Sequence, residues 1–321
     1  MIVPWIAWRR YGDLRLVERH WDAMERYMAY LQRHNPDLLW TARRGNDYGD
    51  WLAVGADTPH DLLATAYWAY DAKLMARIAG VLGRRDREAH YEGLHRDVVA
   101  AFNRAYVGRD GLIVGDTQTV YLLALHMDLI AEELRPRAAE RLVENIARHD
   151  GHLTTGFVGV GLLCPVLSEA GYSDVAHRLL RNESFPSWGY SIRHGATTIW
   201  ERWDGWTEDA GFQTPMMNSF NHYSLGSVGQ WLYEHVAGIR AGAPGYAHVV
   251  IAPEPGGLEW ARAEYRSVRG PISSAWRRQG ETLTLEVEIP ANVTATVIVP
   301  GGEPVEVGAG RHSFSGVLAP V

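Results

Sequence analysis

The residues with the most potential for chemistry lie in one short segment, Gly195–Trp206, which reads GATTIWERWDGW. Two acids stand in it, Glu201 and Asp204. Three tryptophans surround them, at positions Trp200, Trp203 and Trp206. Indole rings stack on the C–H faces of sugars, and glycosidic bonds are usually cleaved between two carboxyl groups. The segment therefore predicts a sugar site, and the alternative is a buried aromatic cluster with one or two hydrogen-bonded acids.

Within this segment Glu201 is the favoured catalytic residue. It follows the apolar pair Ile199-Trp200, whereas the other acids of the region stand in more polar surroundings. Glutamate is one of the side chains that carry protons in general acid–base catalysis. We therefore expect Glu201 to take or give a proton in the reaction.

Three other segments have the composition of site loops. Asp47–Leu52 reads DYGDWL and holds two acids and a tryptophan, although a polar turn with a buried Trp would look the same. Residues 151–157 read GHLTTGF, a pattern that is also common where a helix begins. Residues 218–223 read NSFNHY, in which an Asn or Ser can cap a helix while His222 either binds a ligand or serves the structure.

Helices must position these segments, because apolar residues recur at helical spacing up to about Gly242. The predicted helices cover residues 16–31, 62–82, 87–106, 117–129, 132–148, 161–170, 173–180 and 219–236. Thr58 and Pro59 are the expected start signals of the second helix, and Gly83 is its stop signal.

After Gly242 the pattern changes to alternating, β-branched runs separated by Gly, Pro and Asn. The predicted strands cover residues 248–251, 272–276, 282–289 and 295–299. One buried face is expected from alternating apolar residues, Leu283, Leu285, Val287 and Ile289. The sequence thus predicts an α + β chain in two domains, with a small antiparallel sandwich after a boundary near residue 242.

Composition excludes several classes of function. The chain has 321 residues, of which 46% are hydrophobic and 21% are charged, and its formal net charge is −7. These values are typical of a folded globular protein. They give no basic surface for nucleic acid, and no apolar run is long enough for a transmembrane helix. We therefore expect neither a nucleic-acid partner nor a membrane partner.

The sequence lacks the common motifs of phosphate, metal and nucleophile chemistry. It has no Walker loop, no GxGxxG after a strand, no HExxH and no GxSxG. The single cysteine, Cys164, stands in GLLCPVL and is expected to be a small buried side chain. We expect no cofactor and no metal, and the lack of disulfides favours a cytoplasmic location.

Taken together, three stretches resemble the C-terminal part of the bacterial α-L-rhamnosidases of glycoside hydrolase family 78. They are GATTIWERWDGW, NSFNHYSLGSVGQWLYEHVAGI and PGYAHVVIAPEPGG. The upstream pieces GDWLAVG, TPHDLLATAYWAYDAKLMARIAGVLG and GHLTTGFVG follow the family's order. The resemblance implies an (α/α)6 six-hairpin barrel, incomplete at its N-terminal side, over residues 1–242, and a β-sandwich over residues 243–321.

The same resemblance implies an inverting glycoside hydrolase that releases terminal α-L-rhamnose from rhamnosides. The glutamate of ATTIWE, here Glu201, would be the general base that activates water. The tryptophan of GDW, here Trp51, and the histidine of NHY, here His222, would belong to the rhamnose pocket. Neighbouring side chains are expected to complete the substrate-binding set, namely Asp50, Trp200, Trp203, Asp204 and Asn221.

Inversion needs a second carboxyl group about 6.5–9.5 Å from the first, so that a water fits beneath the sugar. The family's general acid stands in a motif resembling DERLGWTGD that precedes the region matching Met1, and no such string occurs in these 321 residues. We therefore expect a C-terminal fragment that is weakly active or inactive alone.

Three alternatives remain open at this point. The chain could be a six-hairpin glycosidase of other sugar specificity, or a sugar-binding fragment without catalysis. It could also be one half of a split enzyme whose acid comes from a separate polypeptide. Assembly of several copies is compatible with all of these.

Overall fold

Helices occupy most of the chain before residue 236 in the computed structural model, which describes residues 1–318. The α-helices are α1 (Ile2–Tyr11), α2 (Arg15–His34), α3 (His60–Val81), α4 (Arg85–Tyr106), α5 (Gln118–His126), α6 (Arg135–Arg148), α7 (Val160–Glu169), α8 (Ser173–Arg181), α9 (Trp188–Arg193) and α10 (Val228–Trp231). Short 3-10 turns lie at Glu132–Leu134, Pro215–Met217, Ser224–Ser227 and Pro244–Tyr246. No helix within the described range is both long enough and apolar enough to cross a membrane.

Consecutive helices pack in pairs, with α3 against α4, α5 against α6 and α7 against α8. The stop signal predicted for α3 is confirmed, since Gly83, at φ 71°, follows the helix. The start differs from the prediction, because Pro59 is the N-cap residue and the Thr58 hydroxyl pairs with that of Thr117 at 2.9 Å instead of capping the helix. Thr117 caps α5 by accepting a hydrogen bond from the backbone N–H of Val120 at 3.4 Å. Residues 118–125 of α5 are all buried, so this helix lies inside the helical core.

The last predicted helix differs from the structure. Residues 219–223 are not helical, a 3-10 turn begins only at Ser224, and α10 continues into a π-helical turn at Leu232–Val236. Side chains satisfy the local backbone instead: Ser219 Oγ accepts from the N–H of Asn221 at 3.1 Å, and His222 Nδ1 accepts from the N–H of Ser224 at 3.3 Å. Such local bonds compete with helix formation.

Two helices were not expected from the sequence. Helix α9 is too short to show a periodic pattern, and Ser187 caps it by accepting from the N–H of Tyr190 at 2.9 Å. Helix α1 has no fully buried residue, so its apolar residues do not form a regular core-facing stripe. Cys164, on α7, is buried as expected, and burial raises the pKa of its thiol to about 12.

The C-terminal region is built from strands in two four-stranded sheets. The strands of the whole chain are β1 (Trp206–Thr207), β2 (Gly211–Phe212), β3 (Ile239–Ala241), β4 (His248–Ile251), β5 (Trp260–Ser267), β6 (Gly270–Gln279), β7 (Thr282–Ile289), β8 (Thr294–Val297), β9 (Val305–Val307) and β10 (Gly310–Val317). One sheet has the order β10-β7-β6-β5 and is antiparallel. The other has the order β3-β4-β8-β9 and is mixed, because β4 and β8 are parallel, so the purely antiparallel prediction was wrong there.

Alternating burial is clear on β7, where the four apolar residues predicted to share a face are each at most 2% exposed. On the neighbouring β6, Trp276 donates its indole N–H to the carbonyl of Val236 at 2.8 Å, and Ser274 donates to the carbonyl of Ala237 at 2.7 Å. Polar atoms in this core are therefore paired with backbone.

The chain divides into two compact units, one of Met24–Val228 and one that joins Met1–Ala23 to the chain from Gly229 onward. This division differs from a single boundary near residue 242. In the second unit, Arg10 forms an ion pair with Glu234 at 2.8 Å and Arg9 donates to the carbonyl of Ala241 at 3.0 Å. These contacts group the first helix with the strand-rich region despite its position in the sequence.

Candidate functional site

Glu201 lies on one of two extended segments that run side by side. Its backbone N–H donates to the carbonyl of Ser219 at 2.8 Å, and the N–H of His222 donates to the carbonyl of Ile199, also at 2.8 Å. The acid and the histidine, which are 21 positions apart in the sequence, are thus held by one backbone ladder. This pairing replaces the helix expected from residue 219.

The carboxylate of Glu201 is only partly engaged. Its Oε2 accepts a hydrogen bond from the backbone N–H of Ser219 at 2.8 Å, while residues 1–318 provide no donor to Oε1. One oxygen therefore fixes the side chain and the other is free to accept a proton. This arrangement suits a general base.

The second acid of the segment, Asp204, is occupied by its neighbour. Arg202 reaches both oxygens of Asp204, with Nε to Oδ1 at 2.9 Å and Nη2 to Oδ2 at 3.0 Å. This two-pronged hydrogen bond raises the pKa of the Arg202 guanidinium. The pair favours a structural role for Asp204 over direct contact with a sugar.

His222 is held between two aromatic rings. Its imidazole stacks on Phe157 with ring centroids 5.2 Å apart and on Tyr223 at 4.9 Å. Because Nδ1 accepts from the N–H of Ser224, the neutral ring carries its proton on Nε2. His222 can therefore donate a hydrogen bond from Nε2.

Trp51 lies on a loop that turns through left-handed backbone at Gly49 (φ 60°) and Leu52 (φ 62°). Its side chain is 36% exposed and meets the ring of Tyr48 edge-on at 5.5 Å. Its carbonyl accepts from the backbone N–H of Phe157 at 2.9 Å. Phe157 therefore contacts both Trp51 and His222. Its segment, residues 151–157, was considered as a site loop from the sequence, but Phe157 itself was not singled out.

Asp50, expected to bind substrate, is 8% exposed, and both of its oxygens accept hydrogen bonds from within the protein. Oδ2 accepts from the hydroxyl of Thr119 at 2.5 Å and from the N–H of Gly156 at 2.9 Å. Oδ1 accepts from the N–H groups of Val158 at 2.8 Å and Gly159 at 3.1 Å. These bonds leave little capacity for a sugar hydroxyl and favour a supporting role.

Three residues remain of the predicted substrate-binding set: Trp200 and Trp203, whose rings are buried, and Asn221, which is exposed. Trp203 is 2% exposed and donates its indole N–H to the carbonyl of Thr155 at 2.9 Å. Trp200 is also buried and packs edge-on against Phe220 at 5.0 Å. Both rings therefore support the loop rather than face solvent. Asn221 is exposed, which leaves its amide accessible to a ligand.

Two cavities border these segments. The first is about 310 Å³ and is lined by aromatic side chains and a short stretch of backbone, including His194, Trp200, Trp206, Phe212 and Phe220. The second, about 350 Å³, lies beside the Trp51 loop and is lined by residues that include Trp40, Tyr48, Tyr67 and Asp71.

Asp71, on α3, was not singled out from the sequence because it stands in an alanine-rich helical pattern. Burial raises the pKa of its carboxyl group to about 6. The same burial raises the pKa of Tyr67 to about 12, with the charge of Asp50 as a further cause. Only the folded structure shows that Asp71 and Tyr67 line the same cavity.

Two family models match the chain. The model of the bacterial α-L-rhamnosidase six-hairpin glycosidase domain matches residues 1–236, and that of the bacterial α-L-rhamnosidase C-terminal domain matches residues 238–314. The prediction of a six-hairpin glycosidase domain followed by a strand-rich C-terminal domain is thereby confirmed.

Individual proteins are similar over nearly the whole chain. A curated α-L-rhamnosidase of Streptomyces avermitilis is 44% identical over 333 residues, covering 98% of this chain and 32% of that protein. A curated α-L-rhamnosidase of Formosa agariphila is 41% identical, covering 93% of this chain and 33% of that protein. This chain therefore spans about a third of the length of the curated relatives it matches.

Solved structures agree with these matches. The crystal structure of the Streptomyces avermitilis α-L-rhamnosidase complexed with L-rhamnose superposes with a TM-score of 0.93, covering 98% of this chain and 32% of that one. The α-L-rhamnosidase of Aspergillus terreus, at 32% identity, superposes with a TM-score of 0.92 and covers 98% of this chain and 38% of that one.

Proposed function

The chain belongs to the bacterial α-L-rhamnosidase family, and from this premise we propose that it serves the hydrolysis of terminal α-L-rhamnose from rhamnosides. Glu201 is the general base of the proposed reaction. Trp51 and His222 bind the sugar. The reaction inverts the configuration at the anomeric carbon, because the water that Glu201 activates attacks the sugar directly and no glycosyl–enzyme intermediate forms.

Each proposed role follows from the side chain's surroundings. Glu201 uses its unengaged Oε1 to remove a proton from water as the water attacks the anomeric carbon. His222 donates from Nε2 to a sugar hydroxyl, since Nδ1 is already an acceptor. Trp51, exposed on its loop, offers its ring to a C–H face of the sugar.

A single observation carries the proposal: one backbone ladder holds both Glu201 and His222. Among residues 1–318, Glu201 has one carboxylate oxygen without a donor, and the Nε2 of His222 has no acceptor. A purely structural acid would be expected to use both oxygens, as Asp50 does. The ladder therefore supports catalysis at Glu201 rather than a buried aromatic cluster alone.

The test uses a substrate whose hydrolysis depends on the general base but not on a general acid. A 2,4-dinitrophenyl leaving group departs without protonation, so hydrolysis of 2,4-dinitrophenyl α-L-rhamnoside requires the base but no general acid. We expect the chain to release dinitrophenol and to give β-L-rhamnose as the first product by NMR. Retention of configuration, or release at the rate in buffer alone, would contradict the proposal.

The alternative function, in which the chain binds a sugar without cleaving it, predicts a different result. It predicts that calorimetry detects L-rhamnose binding while no dinitrophenol is released. Aryl glycosides of other sugars, assayed beside the rhamnoside, test a six-hairpin enzyme of different specificity. A clear preference for one of those sugars would replace rhamnose in the proposal.

A further inference from the structure

The carboxylate of Asp50 is bound by donors from two distant parts of the helical unit. Thr119 begins the buried helix α5, and Gly156, Val158 and Gly159 precede helix α7. In sequence, these donors lie between 69 and 109 positions from Asp50. One side chain therefore connects the Trp51 loop, the start of α5 and the segment before α7.

All four donors are electrically neutral, so the negative charge is stabilised by hydrogen bonds alone. A carboxylate offers acceptors on both oxygens, whereas an amide of the same shape offers one acceptor and turns an NH2 group toward the remaining donors. Backbone N–H groups that are buried without an acceptor are costly. The geometry thus requires a carboxylate at this position.

The bonds to Asp50 fix residues 154–159 against the Trp51 loop. The backbone adds two further hydrogen bonds, from Phe157 N–H to the carbonyl of Trp51 at 2.9 Å and from Val54 N–H to the carbonyl of Thr154 at 3.0 Å. At Gly156 an added Cβ would overlap the carbonyl oxygens of Asp50 and Trp51. The two segments are therefore as close as a glycine allows.

The fixed segment then contacts both other parts of the proposed site. Its Thr155 carbonyl accepts the indole N–H of Trp203, which belongs to the loop of Glu201. Its Phe157 ring stacks on His222 at 5.2 Å. Residues 154–159 are thus the common support of Trp51, His222 and the Glu201 loop.

We propose that Asp50 is a positioning residue that sets the relative placement of Trp51, His222 and Glu201 through residues 154–159. The carboxylate touches none of the reacting atoms and acts through the backbone that it holds. This inference rests on the proposed function for the identity of the sugar. The relative placement of Trp51, His222 and Glu201 can be measured without any sugar.

The test compares Asp50→Asn with a matched control, Asn145→Leu. Asn145 is also buried and donates to the carbonyl of Asp116 at 2.5 Å, but none of its hydrogen bonds to described residues reaches residues 154–159. The probes are 5-fluorotryptophan 19F NMR, with Trp51 and Trp203 assigned by Trp→Phe variants, and calorimetric binding of L-rhamnose. We expect Asp50→Asn to shift both resonances and to weaken L-rhamnose binding at least 10-fold, while Asn145→Leu does neither.

A second pair of variants covers the case in which Asp50→Asn does not fold. Thr119→Val removes one of the four donors, and Thr119→Ser keeps the hydroxyl. We expect Thr119→Val to shift the same resonances by less, and Thr119→Ser to restore them. Such rescue would not be expected if residue 119 mattered only for general stability.

The outcomes distinguish the two proposals. Unchanged resonances of Trp51 and Trp203 in folded Asp50→Asn and in Thr119→Val would overturn the positioning role. Unweakened L-rhamnose binding in folded Asp50→Asn would overturn it as well. A third outcome is possible, in which the resonances shift in Asp50→Asn but the wild-type protein does not bind L-rhamnose. This result would support the positioning role of Asp50 and overturn the assignment of L-rhamnose as the sugar.

Discussion

Two segments of the helical unit place an acid beside a tryptophan, and the structure treats the two acids differently. In the Trp51 loop, Asp50 accepts four hydrogen bonds and both oxygens are used. In the loop of residues 199–206, Glu201 accepts one hydrogen bond and keeps one oxygen free. The first tryptophan of the pair, Trp51, is exposed, whereas Trp200 is buried.

This difference shows that an acid beside a tryptophan has no fixed meaning in a sequence. A carboxylate whose oxygens are both saturated by protein donors holds its surroundings in place. A carboxylate with a free oxygen can exchange a proton with a ligand or water. The number of donors therefore separates the two roles better than the neighbouring residue types do.

The largest expected effect comes from removing the free oxygen. Glu201→Gln keeps the shape of the side chain and an acceptor for Ser219 N–H but loses the base. We expect the rate of dinitrophenyl rhamnoside hydrolysis to fall by about 10²–10⁴. Thermal unfolding should change little, since one surface hydrogen bond is retained.

The matched control for this experiment is Glu208→Gln, in the turn between β1 and β2 that follows the loop of Glu201. Glu208 is exposed, and its carboxylate lies 3.6 Å from the imidazole of His194, a surface contact of small energetic value. Its rate should stay within about twofold of the wild type. An equal loss of rate in both variants would show that the loop's charge, and not the base, governs the reaction.

The second expected effect concerns the Trp51 loop, where both oxygens of Asp50 accept hydrogen bonds. The substitution that tests it leaves Asp50 itself unchanged. Gly156→Ala places a methyl group against the carbonyl oxygens of Asp50 and Trp51, which are backbone atoms that cannot rotate away. Overpacking of this kind costs about 3 kcal/mol. Urea unfolding should therefore show a clear loss of stability together with weaker L-rhamnose binding.

Gly229→Ala provides the control, because a Cβ at Gly229, in helix α10, meets no atom of the described chain within 4 Å beyond its chain neighbours and its own helix backbone. Replacing this glycine should leave stability unchanged or raise it by up to about 1 kcal/mol. If Gly156→Ala were as stable as Gly229→Ala, the two loops would have room to separate, and the tight contact described above would be disproved.

Most helices and four of the ten described strands, β4, β6, β7 and β8, could be predicted from the sequence because their signals are local. The other six strands were not predicted. Apolar residues at every second position predicted the buried face of β7, and helical spacing predicted α2 to α8 with ends close to those observed. Both the buried face of such an element and the residues at which it begins and ends depend on neighbours only a few positions away in the sequence. Periodicity therefore sufficed for most of the helices and for fewer than half of the described strands.

The site could be predicted only in part, because its contacts are not local. The residue types of the Glu201 segment indicated sugar chemistry, but the donors to Asp50 and the stacking of Phe157 on His222 join positions 65 or more apart. The ladder of residues 199–222 replaced a helix that the sequence favoured. Which carboxylate is saturated can be seen only after folding.

Asp71 adds a third acid to the comparison, one in which burial dominates. Its pKa is raised from 3.8 to about 6 by burial, so the charged form is disfavoured in the folded state. Above pH 6 the folded protein bears this cost, and below about pH 4 both folded and unfolded states are protonated and the cost disappears. Asp71→Asn should thus stabilise the protein by about 2–3 kcal/mol at pH 8.

The measurement is urea unfolding of both proteins from pH 8 down to pH 3.5. The gain in stability from Asp71→Asn should shrink as pH falls through 6 and should be absent at the lowest pH. Asp174→Asn is the control, since Asp174 forms an exposed pair with Arg178, and its effect should be small throughout. A gain for Asp71→Asn that did not depend on pH would contradict burial as the cause.

The smallest expected effect tests whether the two acids are connected. Trp203→Phe keeps a buried aromatic ring but removes the indole N–H that binds the carbonyl of Thr155, the link between the Glu201 loop and the segment held by Asp50. Leaving the buried Thr155 carbonyl without its donor costs about 1–3 kcal/mol, and the smaller ring adds to the loss of stability. If the link also positions Glu201, the rate of dinitrophenyl rhamnoside hydrolysis should fall several-fold while L-rhamnose binding changes less. A loss of stability with an unchanged rate would mean that the saturated acid supports Trp51 and His222 but not the base, and the positioning role would then be confined to the sugar.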